Sequence, residues 1–212
     1  MRISSNDPLP ASRRDDGLAP VLPPSLPLRG SRIGPVMGRL GLRMLGWRVT
    51  GNFPDLPRMV VIVAPHTSNW DFVAGFAAYL AMNLEASWFG KHTLFHWPMG
   101  GILRQFGGIP IERAGESAAG VVEQQVAEFG RRQRMVLALT PEGTRRKVLE
   151  WKSGFYRIAV QAGVPIVPVA MDYATRRVII GAAFYPTGSY ERDISAIRGR
   201  FDGVTARYPA QF

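Results

Sequence analysis

The sequence predicts an α/β fold: a single domain with a largely parallel mixed sheet flanked by helices and an amphipathic helix on its N-terminal side. Three observations carry this. Short, almost continuous apolar runs such as MVVIVA (59–64) and MVLALT (135–140) lack the alternation of a half-exposed strand, so both of their faces must be covered. Stretches with helical spacing separate them. The 212 residues, 46% hydrophobic and 20% charged, suffice for one substantial core.

Residues 1–30 carry six of the 17 prolines and little apolar periodicity, and read as a disordered or extended leader before a domain over 31–212. In PVMGRLGLRMLGWRV, Val36, Leu40, Met44 and Trp47 form one helical stripe, with Arg39, Arg43 and Arg48 off it. That stripe packs on the domain or lies in a membrane interface with its arginines at anionic headgroups. Gly38, Gly41 and Gly46 weaken the helix. The strand at 59–64 is followed by a helix from Asp71 to Glu85. GGIPIE (107–112) is a strand, then a helix runs from about Ser117 to Arg132. After the strand at 135–140 come a helix over roughly Lys152–Ala162 and strands in PIVPVAMDY and RRVIIGAAF. Ile194, Ile197, Phe201 and Val204 indicate a last amphipathic helix.

Charge and composition narrow the function. The chain carries 26 Lys+Arg against 16 Asp+Glu, net +10, so anionic partners are expected. A basic nucleic-acid-binding module would explain the charge, but no nucleic-acid motif is present. The absence of cysteine excludes disulfides, thiolate metal sites and Cys nucleophiles. His92 and His96 have a spacing that suits a metal, but Pro98 follows and no further ligand is evident, so no metal is expected. The longest uncharged apolar stretch, Phe72 to Met82, is too short to span a bilayer. No secretory signal is visible at the N-terminus, which points to a cytoplasmic protein.

Ligands of such sheets gather at the carboxyl ends of the strands. Three polar clusters stand there. In HTSNWD, His66 and Asp71 meet only if the chain turns between them, and Thr67-Ser68-Asn69 is turn-prone. An imidazole held by a carboxylate presents its other nitrogen as a base able to take a proton from an alcohol. Ser68 to Asp71 fits a capping box equally well, leaving Asp71 a plain helix cap. In TPEGTRRK, Gly143 permits a tight turn with N–H groups toward an anion, while Thr144 and Arg145 add donors suited to phosphate. Glu142 would hold an arginine or accept from a substrate hydroxyl. An ordinary basic turn is the alternative. Arg113, after GGIPIE, is either a second phosphate clamp or surface. Trp88, Trp97 and the helix after Asp71 are core residues or the wall of an acyl groove.

In order, HTSNWD, GGIPIER, PEGTR and VPIVPV resemble the four blocks of the glycerolipid acyltransferases, which include the 1-acylglycerol-3-phosphate acyltransferases; the likeness spans about residues 47–185. Two departures are Pro65 where many members have asparagine and Thr140 where an aromatic is common. The resemblance implies acyl transfer from acyl-CoA or acyl carrier protein to a hydroxyl of a lysolipid or glycerol-phosphate-type acceptor. It makes His66 the general base, Asp71 its orienting partner, and Arg113 with Glu142, Gly143, Thr144 and Arg145 the acceptor site. It implies no covalent intermediate, no cofactor and no nucleic acid. Peripheral attachment to the inner face of an anionic membrane is expected, and an acyl thioesterase is the related alternative.

Overall fold

The computed structural model describes residues 17–96, 98–111 and 118–212. In chain order these form α1 (Ile33–Leu45), β1 (Arg48–Thr50), β2 (Arg58–Ala64), α2 (Asn69–Ala81), β3 (Ser87–Lys91), α3 (Met99–Gln105) and β4 (Gly108–Ile111). There follow α4 (Ala118–Arg131), β5 (Met135–Leu139), α5 (Gly154–Ala162), β6 (Ile166–Asp172), β7 (Arg177–Ile180) and α6 (Tyr190–Arg198). The strands make one seven-stranded sheet in the order β1-β7-β6-β2-β5-β3-β4. Pairing is parallel throughout except between β6 and β7, which are antiparallel.

β2 lies at the centre, between β5 and β6, and its continuous apolar run follows from that position. Met59 and Val61 face one core cluster with Leu42, Ala74, Ala77, Ala78 and Ala81 of α1 and α2. Val60, Ile62 and Ala64 face a second cluster with Phe129, Phe155, Ile158 and Ile197 of α4, α5 and α6. The sheet is thus covered on both faces, as the strand composition predicts.

One expectation needs correction, and one open choice is decided. The second half of the predicted leader belongs to the domain: Ala19 and Leu26 are buried in the first cluster, and Leu28 bridges Leu84. Arg29 donates to Tyr79 Oη (2.8 Å) and to the Gln105 carbonyl (3.0 Å), with its guanidinium over the Phe106 ring. The strip also turns on itself, the Leu26 N–H donating to the Pro23 carbonyl (3.2 Å), and these few contacts anchor it.

The open choice concerns α1, whose stripe residues Val36, Leu40 and Met44 face outward, while Trp47, beyond the end of the helix, is buried. Val36, Leu40 and Met44 are 65%, 48% and 79% exposed, and Ile33 and Met37 extend the same face. The helix packs through Pro35, Gly38 and Leu42 instead. A β-carbon on Gly38 would stand 2.2 Å from the Ala81 nitrogen and 2.7 Å from the Ala77 carbonyl oxygen. The glycines that weaken the isolated helix are therefore what brings it against α2. Gly38→Ala should cost about 2–3 kcal/mol, because the obstructing atoms are backbone and cannot rotate away. A urea unfolding midpoint checks this, with Gly34→Ala, which meets only side chains, as the milder comparison.

Short elements escaped the sequence reading: β1, β3 and α3 were not expected. The last helix also ends earlier than its stripe, at Arg198, and a 3₁₀ turn carries Phe201 into the core.

Candidate active site

The Ala64–Pro65 peptide, which is cis, ends β2, and Ser68 caps α2. The Ser68 hydroxyl accepts from the Trp70 N–H (3.1 Å). The Asp71 carboxylate turns back across the entry of the helix, where its Oδ2 accepts from the N–H groups of Thr67 (2.7 Å) and Ser68 (2.8 Å). The same Oδ2 stands 3.5 Å from Nδ1 of His66. Cap and dyad are therefore one feature: the capping box folds the turn that brings the imidazole to the carboxylate.

Asp71 is buried, whereas the His66 side chain keeps 21% of its surface exposed. Burial pushes the Asp71 carboxyl up, but hydrogen bonds from His66, Tyr173, Ser68 and Thr67 outweigh it and hold the group below its ordinary value of 3.8. The Tyr173 hydroxyl donates to Asp71 Oδ1 at 2.6 Å. Burial, then the carboxylate beside it, raises the Tyr173 phenol, which stays protonated as a donor. Tyr173 comes from the end of β6, next to β2, and sequence reasoning missed it: nothing in PIVPVAMDY marks the last residue as a partner for Asp71.

Glu142 follows β5 on the other flank of β2 and is 2% exposed. Among the described residues it forms no ion pair with an arginine. Its Oε1 accepts from the His66 backbone N–H at 3.0 Å, pinning the residue that carries the imidazole. Burial raises the carboxyl to about 7, against the pull of the His66 N–H. The folded protein thus binds more protons at this site than the unfolded chain between pH 4.5 and 7. The stability this gives is full below the unfolded value and is lost as pH rises through about 7. Glu142→Gln, which cannot ionise, should gain in melting temperature relative to the parent between pH 5 and 8. A constant difference across that range would refute the assignment.

The turn after Glu142 differs in detail from its expected form. Gly143 has φ +65°, as a tight turn requires, but its N–H donates to the Thr140 carbonyl (3.2 Å) rather than facing outward. The Arg146 N–H donates to the Thr144 hydroxyl (3.3 Å). The Lys152 N–H closes the loop on the Pro141 carbonyl (2.9 Å) and lays the lysine side chain across Gly143, its Nζ 3.0 Å from where a β-carbon would be. Arg145 and Lys152 are both exposed, so the cationic face of this turn is made of side chains. Lys152 was not anticipated, lying nine positions beyond Gly143 and returned only by loop closure. Arg113 and Trp97 lie outside the described residues.

The C-terminal segment completes the surroundings. The Tyr208 N–H donates to the Thr67 hydroxyl (3.3 Å), and the Gln211 amide, turned to satisfy both of its partners, donates to the carbonyls of Thr67 (3.0 Å) and Arg145 (2.8 Å). One side chain thereby ties the histidine turn to the basic turn. Beside them, Phe72, Phe76, Trp88 and Phe106 make a file of ring contacts along α2, with centroids 5.1–5.6 Å apart. Among the described residues no group of carboxylates and imidazoles is arranged to hold a metal ion.

Comparison with known proteins fits this arrangement. The Acyltransferase family model matches residues 48–172, which include β2, the histidine turn and the basic turn. The 1-acyl-sn-glycerol-3-phosphate acyltransferase of Haemophilus influenzae is 29% identical over 133 residues, 59% of this chain and 54% of that protein. Its namesake from Escherichia coli is 30% identical over 123 residues, 56% of this chain and 49% of that protein. The chain thus spans about half the length of the curated relatives it matches. The crystal structure of the 1-acyl-sn-glycerophosphate acyltransferase PlsC from Thermotoga maritima shares the fold, with a TM-score of 0.58 at 20% identity over 83% of this chain and 81% of that one. With the family pattern matched across more than half of its length, and the fold shared, the chain belongs to the acyltransferase family.

Proposed function

We propose that this protein transfers an acyl group from an acyl-CoA or acyl carrier protein thioester to a hydroxyl of a lysophospholipid-type acceptor at a membrane surface. The observation that carries the reading is the partly exposed imidazole of His66, backed by a buried carboxylate that holds Nδ1 and leaves Nε2 for substrate. The acceptor hydroxyl gives its proton to Nε2 as its oxygen attacks the thioester carbonyl carbon. The tetrahedral intermediate collapses with cleavage of the C–S bond, and the imidazolium returns the proton to the departing sulfur. Asp71 stabilises the imidazolium between these two transfers. No covalent enzyme intermediate and no cofactor are needed.

The acceptor's phosphate sits at the basic turn, against Arg145 and Lys152, with the Thr144 hydroxyl within the same loop and Arg113 as a further clamp. Glu142 acts through His66 and not on the acceptor. The acyl chain runs along the Phe72–Phe76–Trp88 file. Among the described residues no helix is long and apolar enough to cross a membrane. The outward stripe of α1 then serves as the surface that enters the headgroup region, on the inner face of an anionic membrane.

Because the chain has no thiol, release of CoA can be followed with a thiol reagent without protein background. Long-chain acyl-CoA is supplied with and without lysophosphatidic acid in anionic vesicles. Acceptor-dependent release, with diacylated product, is the expected result. Release independent of acceptor would replace the transferase with a hydrolase.

A further inference from the structure

A groove of about 400 Å³ opens between α1, the start of α2 and the β6–β7 turn. Its apolar lining comes from Met44, Leu45, Trp47, Trp70 and Ala74, and its polar members are Tyr173 and two arginines, Arg176 and Arg207. Arg176 occupies a left-handed turn position (φ +53°), and its carbonyl accepts from the Arg48 N–H, which fixes the turn to β1. The Arg207 guanidinium lies 5.5 Å from the Trp70 ring centroid and 5.8 Å from that of Tyr173. Among the described residues neither arginine pairs with a carboxylate; the ion pairs there are those of Asp71 and Glu128.

This groove is separate from the basic turn at Gly143–Arg145. That turn follows β5, whereas Tyr173 follows β6, and β2 lies between them. Tyr173, Arg176 and Arg207 also lie beyond the residues matched by the family model. The groove's rim is continuous with the outward stripe of α1 through Met44. An occupant must therefore be anionic at one end, to meet two planar donor forks, and reach the groove from the apolar surface of α1.

We propose that the groove binds the headgroup phosphate of an anionic phospholipid that remains in the bilayer. The bound lipid is neither donor nor acceptor. It seats the protein so that Tyr173, and behind it the Asp71–His66 pair, stand at a set depth against the membrane. The inference rests on the peripheral-membrane part of the reading above, and not on its chemistry.

The test is therefore a binding measurement. Full-length protein is sedimented with vesicles of phosphatidylcholine alone and with phosphatidylglycerol added. The variant Arg176→Asn/Arg207→Gln removes both cations while keeping a residue that tolerates φ +53°. The variant Arg131→Ala/Arg132→Ala removes equal charge from the end of α4, which leads into the start of β5, at the opposite end of the parallel strands from Tyr173. A cation held near an anionic surface contributes about fivefold to partitioning, so the groove variant should bind phosphatidylglycerol vesicles about 25-fold less well. The control, more than a Debye length from the surface, should change by less than about twofold. Equal losses in the two variants, or no preference of the parent for phosphatidylglycerol, would overturn the proposal. If the double variant does not fold by circular dichroism, Arg176→Asn alone, at an exposed turn, should lose about fivefold, and its failure to do so would overturn the proposal equally. His66→Ala should bind vesicles as the parent does, which separates failure of this site from failure of the acyl-transfer chemistry.

Discussion

His66→Ala should lower the rate of acyl transfer by about 10³-fold or more, with the melting temperature held within about 2 °C of the parent. The imidazole is partly exposed, and among the described residues its polar contact is the 3.5 Å approach to Asp71. The anchors of this turn do not involve the ring. They are the His66 N–H on Glu142 and the Thr67 and Ser68 N–H groups on Asp71. Removing the ring deletes the proton acceptor and leaves the turn standing. Steady-state CoA release and a thermal melt on the same preparation read both quantities. Full activity in a folded His66→Ala protein would sink the proposed mechanism.

Asp71 should behave differently, because in the proposed mechanism its carboxylate serves the reaction as well as the fold. Asp71→Ala leaves two buried N–H groups and the Tyr173 hydroxyl without their acceptor and removes half of the capping box, a loss of about 3 kcal/mol or more. Asp71→Asn retains an acceptor of similar shape and should fold better than the alanine variant. Its amide cannot stabilise the imidazolium, so activity should still fall about 10³-fold. Its pH dependence is a second signature. The folded carboxyl lies below its ordinary value of 3.8, so the stability it contributes is full above 3.8 and is lost as pH falls through the lower folded value. The gap in melting temperature between parent and Asp71→Asn should therefore close on acidification below pH 3.8. A gap unchanged down to pH 2 would mean that Asp71 makes no charge-dependent contribution.

These two residues show how far the sequence could be read. His66 and Asp71 were visible as a pair, but helix cap and catalytic dyad looked like competing explanations. The structure shows them to be the same hydrogen-bonded turn, since one carboxylate oxygen has room for two N–H groups and an imidazole. Glu142 was visible as a residue of the basic turn, yet its partner is a backbone N–H 76 positions away. No local pattern can encode such a partner. α1 illustrates the opposite case, an open choice. Its apolar stripe was seen correctly, but periodicity reports only that a helix has two faces. Which face goes inward was decided by the glycines, because backbone contact with α2 demands the smaller side.

What the sequence determined by itself was local in origin: the continuous apolar strands that require a covered sheet, the turn chemistry of Thr67–Asn69 and Gly143, and the order of the motifs. What the tertiary structure decided was every pairing across the chain. It set Tyr173 behind Asp71, Glu142 under His66, Lys152 over Gly143, and Arg207 beside Trp70. The reason is physical. Strand and helix signals repeat at short periods and survive in sequence, whereas the partners in a site are fixed by which strand ends lie side by side in the sheet. Here β2 lies between β5 and β6, and that adjacency lets residues after β5 and β6 hydrogen-bond to the turn after β2 that carries His66 and Asp71.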